Sequence, residues 1–133
     1  MFASLLLLAA AGGAPTDPAV GTWTNPKGSL QVRTRRCGEQ LCGAVVAASP
    51  KAIAKAQKAG VPALIGTEVF REYRRDGATA WAGTLYIPDK HRTVSSTLQT
   101  SRGDTLKVSG CLIGRILCKT QVWTRADARV AAR

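Results

Sequence analysis

The residues of this 133-residue chain that carry acid–base or nucleophilic chemistry are few and scattered. The single histidine, His91, stands between Lys90 and Arg92, a position typical of a solvated surface side chain. Ser95 and Ser96 have no recognisable histidine and aspartate partners, and the sequence contains neither a nucleophile elbow nor a phosphate-binding loop. We therefore expect no catalytic residues and no enzyme activity.

Two carboxylates are spaced so that both can lie on the same face of a strand. Glu68 and Glu72 share one face of a predicted strand at even spacing, and paired carboxylates of this kind can do acid–base work. The adjacent residues Arg71, Arg74 and Arg75 favour an ordinary salt-bridged surface instead.

The four cysteines form two local pairs, Cys37 with Cys42 and Cys111 with Cys118. A zinc site calls for two-residue spacings or nearby histidines, and the only histidine stands apart from both pairs, so we expect no metal and no cofactor. Three disulfide pairings are possible, and the local one is predicted because each pair brackets its own turn. Disulfides of this kind fit an oxidising compartment.

Positive charge is the unusual feature of the composition. The chain has 19 Lys and Arg against 8 Asp and Glu, a formal charge of +11, which indicates an anionic partner or surface. Aromatic residues are only 5%, too few for the stacking that single-stranded nucleic acids require, so no specific nucleic-acid partner is expected. The candidate anion contacts, for lipopolysaccharide, other envelope polyanions or lipid headgroups, are two clusters: Arg33, Arg35 and Arg36, and Arg71, Arg74 and Arg75. The alternative is a generally basic proteome, in which this charge has no specific partner.

The amino terminus has the pattern of a secretory leader. The run from Leu5 to Ala11 is apolar and is followed by small residues and Pro15, which predicts a signal peptide over residues 1–14. A short buried helix is the alternative, while a lipoprotein-like anchor lacks the cysteine it needs after the run. We expect a periplasmic or secreted protein with no transmembrane span in its mature form, because no apolar run reaches the length that crosses a bilayer.

The sequence pattern over the body of the chain predicts short strands separated by turns. Alternation of apolar and polar residues predicts strands, with the nearly all-apolar stretch Leu41 to Ala48 expected to be buried on both sides. Ser49 as N-cap, Pro50 and the stop at Gly60 predict one short helix. Its lysines form either a solvated face or a basic lid. These elements predict an all-β fold, a small antiparallel barrel of about eight strands over residues 15–126, followed by a flexible tail over 127–133.

Two sets of motifs resemble known families. Gly21-Thr22-Trp23 at the start and Trp123-Thr124-Arg125 at the end of the predicted barrel are similar to the lipocalin arrangement, in which an arginine lies over a tryptophan that plugs the closed end. The resemblance makes Trp23, Arg125 and Trp123 structural barrel-closure residues.

A wider resemblance covers roughly residues 20–125. Trp81-Ala82-Gly83, Leu106-Lys107-Val108-Ser109-Gly110-Cys111 and the two cysteine segments occur in the order and spacing of the domain of unknown function 2147, a small secreted bacterial family. This resemblance implies a lipocalin-like barrel exported to the periplasm or beyond, with no established activity. The segment from Lys90 to Val94 departs from the family pattern, in which an acidic or glycine turn and an aromatic residue are common.

Taken together, these features predict an exported barrel that binds a small apolar or amphipathic ligand in the bacterial envelope. The alternative is an interaction protein that attaches to envelope polyanions through its basic surface. The barrel is short for a lipocalin, so we expect its cavity to be small or filled by side chains.

Overall fold

Successive antiparallel hairpins close on themselves in the computed structural model, which describes residues 17–101, 104–113 and 116–126. Over these residues the strands form a closed barrel in which each strand pairs with its sequence neighbour and β1 pairs with β8. The strands are β1 (Gly21–Thr24), β2 (Leu30–Cys37), β3 (Gln40–Ala48), β4 (Glu68–Arg75), β5 (Ala80–Ile87), β6 (Arg92–Ser101), β7 (Thr105–Ile113) and β8 (Ile116–Arg125). The predicted eight-stranded antiparallel barrel is thus confirmed, while the predicted leader (1–14) and tail (127–133) lie outside the described residues.

One α-helix, α1 (Pro50–Lys58), connects β3 to β4 within the described residues. It begins where the sequence predicts, since the Ser49 hydroxyl accepts a hydrogen bond from the backbone N–H of Ala52. The helix ends before Gly60, whose φ of +99° favours glycine. Ala56 is buried against the barrel, and α1 contacts a 3₁₀ turn (Pro88–Lys90) that follows β5. The helix therefore lies at the end of the barrel where β3 ends and β6 begins.

Large side chains fill the barrel interior. The largest side chains with less than 2% exposure belong to Trp23, Trp81, Tyr73, Phe70, Leu41, Leu98 and Leu106. Glycine makes room for one of them, because a Cβ atom at Gly43 would lie 2.8 Å from Cδ2 of Phe70. Close packing of this kind leaves little space in the part of the barrel that these aromatic rings occupy.

The prediction that the stretch from Leu41 to Ala48 is buried on both sides is wrong. Leu41 and Val45 are buried, but Val46 is 43% exposed and lies at an irregularity in the pairing of β2 with β3. A barrel strand has one inner and one outer face, and the outer positions of β3 are occupied by apolar side chains. The apolar run therefore reflects composition, not burial on two faces.

Candidate functional site

The first and last strands of the barrel, β1 and β8, meet at Trp23. The guanidinium carbon of Arg125 lies 4.3 Å from the centre of the Trp23 ring, and its N–H groups donate to the carbonyls of Val20 (3.1 Å) and Pro18 (2.7 Å). A Cβ atom at Gly21 would lie only 2.1 Å from Nη1 of Arg125. The glycine before Trp23 therefore leaves space for the arginine, which can stack on the indole.

Trp123 has a different environment from Trp23. Its ring lies 5.4 Å from that of Phe70, between ring centres, and its indole N–H donates to Oε1 of Gln121 at 3.0 Å. Trp123 is 5% exposed, whereas Gln121 is exposed. The indole N–H thus points toward a polar side chain at the solvent boundary of the barrel.

Both local cysteine pairs are joined as disulfides. Cys37–Cys42 spans the turn between β2 and β3, and Cys111–Cys118 joins β7 to β8. The two bridges lie at opposite ends of the barrel, because the first hairpin turns at one end and the second at the other. Each bridge ties a single hairpin.

Most of the arginines proposed as anion contacts have partners within the chain. Arg35 forms a 2.6 Å ion pair with Glu68, and Arg75 pairs with Asp17. Arg36 and Arg75 lie 5.3 and 4.4 Å from the centre of the Trp81 ring, and Arg71 lies 4.3 Å from that of Tyr86. The remaining two residues of the clusters, Arg33 and Arg74, are exposed. These contacts show guanidinium groups that cover aromatic rings and pair with carboxylates.

The other residues that could take part in acid–base or nucleophilic chemistry are described next to their neighbours in the fold. His91 Nδ1 lies 2.7 Å from the Tyr86 hydroxyl, Ser95 is exposed on the outer face, and Ser96 is buried. Glu68 forms its ion pair with Arg35 on β2, and Glu72 lies at an irregularity in the pairing of β4 with β5. Within the described residues, no group of three or more His, Cys, Asp or Glu side chains is placed to hold a metal ion.

The barrel is open to solvent along one part of its inner surface. β1 has four residues, and over the described part of the chain only Trp23 and Thr24 pair with β8. In the register between β7 and β8, Gly110 lies opposite Lys119 and Val108 opposite Gln121. Directly opposed residues of antiparallel strands point to the same face of a sheet, so Lys119 and Gln121 lie on the inner face.

Despite this inward position, these residues are accessible. Lys119 and Gln121 are exposed, and Leu112, two residues beyond Gly110 on β7, is 51% exposed. Leu117, which has a φ of +59°, is 61% exposed beside the turn between β7 and β8. A Cβ atom at Gly110 would lie 3.3 Å from Val94 Cγ2 and 3.4 Å from Leu85 Cδ2, at ordinary to tight contact distances. We call this inner surface the open face. Its exposed residues are Leu112, Leu117, Lys119 and Gln121, and beneath them lie the half-buried Leu85 and Gly110 and the buried Val94.

Two buried hydroxyls lie at the inner limit of the open face. Ser96 lies between Gly83 and Gly110 in the sheet register, so neither neighbouring strand places a side chain beside it. The Tyr73 ring occupies the space above Gly83, where a Cβ atom would lie 2.7 Å from Tyr73 Cγ. The hydroxyls of Tyr73 and Ser96 are buried neighbours that interact with each other, and neither has a hydrogen bond to any other group. Burial raises the pKa of the Tyr73 phenol far above its ordinary value, while the nearby Ser96 hydroxyl acts in the opposite direction, so the phenol stays protonated.

Sequence reasoning did not single out the open face. Leu117, Lys119, Gln121 and Trp123 alternate along β8, a signal that places them on one face, but the alternation does not show which of them solvent reaches. A separate surface depression of about 340 Å³ is lined by Lys55, Lys58, Ala59 and Asp89, outside the barrel interior. No helix in the described ranges is long and apolar enough to cross a bilayer.

Comparison with known proteins places the chain among bacterial barrels. Residues 21–125 match the model of a family described as an uncharacterized protein conserved in bacteria, DUF2147. The solved structure of protein HP1028 from Helicobacter pylori, described as belonging to the lipocalin family, is similar with a TM-score of 0.65 and 12% identity, over 85% of this chain and 86% of that chain. At this identity the likeness concerns the fold. No curated protein matches the chain significantly.

Proposed function

The chain belongs to the DUF2147 family of uncharacterized bacterial proteins, and from this premise we propose that it binds a small amphipathic ligand on the open face of its barrel. The observation that carries the proposal is the exposure of inward-pointing residues on β7 and β8. Leu112 is 51% exposed although it alternates along β7 with the buried residues Leu106 and Val108, and Leu117 on β8 is 61% exposed. Large apolar side chains on a concave, accessible surface are typical of a ligand site.

The composition of the open face favours an amphipathic ligand over a purely apolar one. Leu112 and Leu117 supply exposed apolar surface, and Leu85 and Val94 lie beside Gly110. Because Gly110 has no side chain, it leaves space between these residues. Lys119 and Gln121 supply polar groups along the same surface. A molecule that lies on the open face therefore contacts apolar carbon atoms along its length and polar groups beside it.

The cellular setting that we propose is an oxidising one, outside the bacterial cytoplasm. Two disulfides join hairpins whose cysteines are only 5 and 7 positions apart, and such bridges persist in secreted and periplasmic proteins. The leader-like sequence over residues 1–14 supports export. A ligand in this compartment would come from the cell envelope or from the medium.

The test uses N-phenyl-1-naphthylamine, an uncharged probe whose fluorescence rises in apolar surroundings, with the full chain and a Gly110→Val variant. The isopropyl group added at Gly110 would project onto the open face, so we expect at least a tenfold loss of probe affinity. The matched control is Ser109→Val, which adds the same branched side chain on the outer face of the same strand. Equal probe affinity for both variants and the unmodified protein would refute binding on the open face.

A further inference from the structure

The buried hydroxyls of Tyr73 and Ser96 carry an inference about the chemistry of the ligand. An unpartnered buried hydroxyl costs about 1–3 kcal/mol of folding free energy, because it loses its hydrogen bonds to water without replacement. The Tyr73 and Ser96 hydroxyls have only each other as neighbours of this kind, so their remaining hydrogen-bonding positions are unused. Leucine and valine side chains, which would avoid this cost, occupy the equivalent inner positions on either side of Ser96, at Val94 and Leu98.

The position of this hydroxyl pair connects it to the open face. Ser96 lies directly opposite Gly110 in the pairing of β6 with β7, and Gly110 is half-buried at the inner limit of the open face. Because glycine has no side chain, no side chain on β7 stands between Ser96 and a chain that lies across Gly110. Tyr73 approaches from the other side, over Gly83.

We propose that Tyr73 and Ser96 form the polar end of the ligand site and bind an uncharged alcohol or carbonyl group of an amphipathic ligand whose apolar part lies on the open face. The inference rests on the proposed function and adds the chemical class of the ligand. Each hydroxyl can donate and accept, so together they satisfy either an alcohol or a carbonyl oxygen.

An uncharged group fits the pair better than an anion. Neither hydroxyl has a hydrogen-bonded cationic partner, and a carboxylate buried without one would lose its hydration uncompensated. The Tyr73 phenol also stays protonated, so it remains available as a donor. Lys119, the cation of the open face, is exposed, and its position opposite Gly110 suits contact with a solvent-facing part of the ligand.

The experiment measures displacement of N-phenyl-1-naphthylamine by 1-octanol, by 1-chlorooctane and by octanoate at pH 8. Each is tested against the full chain and against the double variant Tyr73→Phe/Ser96→Ala. We expect the double variant to bind 1-octanol about five- to tenfold more weakly, which is the effect of one or two lost hydrogen bonds. Binding of 1-chlorooctane, which has the same chain without the hydroxyl, should change less than twofold.

Two controls separate this inference from the proposed function. Ser95→Ala removes an exposed hydroxyl from the outer face of the same strand and should leave all three affinities unchanged. If the probe binds and the double variant keeps its full affinity for 1-octanol, the inference is wrong while ligand binding stands. A loss for octanoate as large as that for 1-octanol would overturn the assignment to an uncharged group. If the probe does not bind the unmodified protein, both proposals fail.

Discussion

Replacing Arg125 with lysine tests how the barrel is closed. Lysine keeps the positive charge but cannot stack a planar group 4.3 Å from the Trp23 ring while donating to the carbonyls of both Val20 and Pro18. The stacking contributes about 1–2 kcal/mol and each hydrogen bond about 1 kcal/mol, of which lysine recovers one. We therefore expect Arg125→Lys to lower the free energy of unfolding by about 2–3 kcal/mol.

Urea denaturation followed by tryptophan fluorescence measures this effect. With a denaturant dependence of about 1–3 kcal/mol per molar, the midpoint should fall by about 0.7–3 M. The matched control is Arg35→Lys, since the ion pair of Arg35 with Glu68 lies at the surface and contributes less than about 1 kcal/mol. A midpoint for Arg125→Lys equal to that of the control would refute the closing role of the guanidinium group.

A second variant makes the test specific to the geometry. A Cβ atom at Gly21 would lie 2.1 Å from Nη1 of Arg125, so Gly21→Ala should displace the arginine. Its destabilisation should shrink in an Arg125→Ala background, because the side chain that it displaces is then absent. Additive effects of the two substitutions would show that the two residues do not act through this contact.

Three further predictions concern the packing of the barrel. Thr34→Val should destabilise the protein by about 1–3 kcal/mol in urea denaturation, because the Thr34 hydroxyl accepts from the N–H of Gly21 and its loss leaves that donor unpaired; a change below 0.5 kcal/mol, about the noise of such measurements, would contradict this. Removing the bridge by Cys37→Ala/Cys42→Ala should lower stability by only about 2 kcal/mol, because the closed loop is short; loss of folding would show a larger role. Burial raises the pKa of Tyr73, so the stability linked to this phenol is complete below about pH 10 and is lost at higher pH, where the unfolded chain ionises and the folded chain does not. Absorbance at 295 nm should therefore show a tyrosine ionisation that occurs only on unfolding and is absent from Tyr73→Phe. Ionisation of Tyr73 in the folded protein near pH 10 would contradict the burial.

The local pattern of the sequence was sufficient to predict the barrel. Alternation in β6 separates Val94 and Leu98 from exposed neighbours, and Ser49 with Pro50 marks the start of α1. These features depend on residues close together in the chain, so periodicity and capping reveal them. The apolar run in β3 misled the prediction, because Val46 occupies an outer position at an irregularity that no local pattern marks.

The candidate site depended on features that local patterns do not contain. The open face exists because β1 ends at Thr24 while β8 extends to Ile116 at its other end, a mismatch visible only once the barrel is closed. The neighbouring hydroxyls of Tyr73 and Ser96 come from β4 and β6, which are separated by β5. The arginine clusters, by contrast, were visible in the sequence, but their ion pairs and aromatic contacts are tertiary.

Binding on the open face is tested most directly by two-dimensional ¹H–¹⁵N NMR during titration with N-phenyl-1-naphthylamine. The account predicts saturable shifts of backbone amides on β7 and β8, centred on Gly110, Leu112, Lys119 and Gln121, with smaller shifts on the outer-face residue Ser109. Saturable shifts centred instead on α1, beside the depression lined by Lys55 and Lys58, would contradict it, as would the absence of any saturable shift.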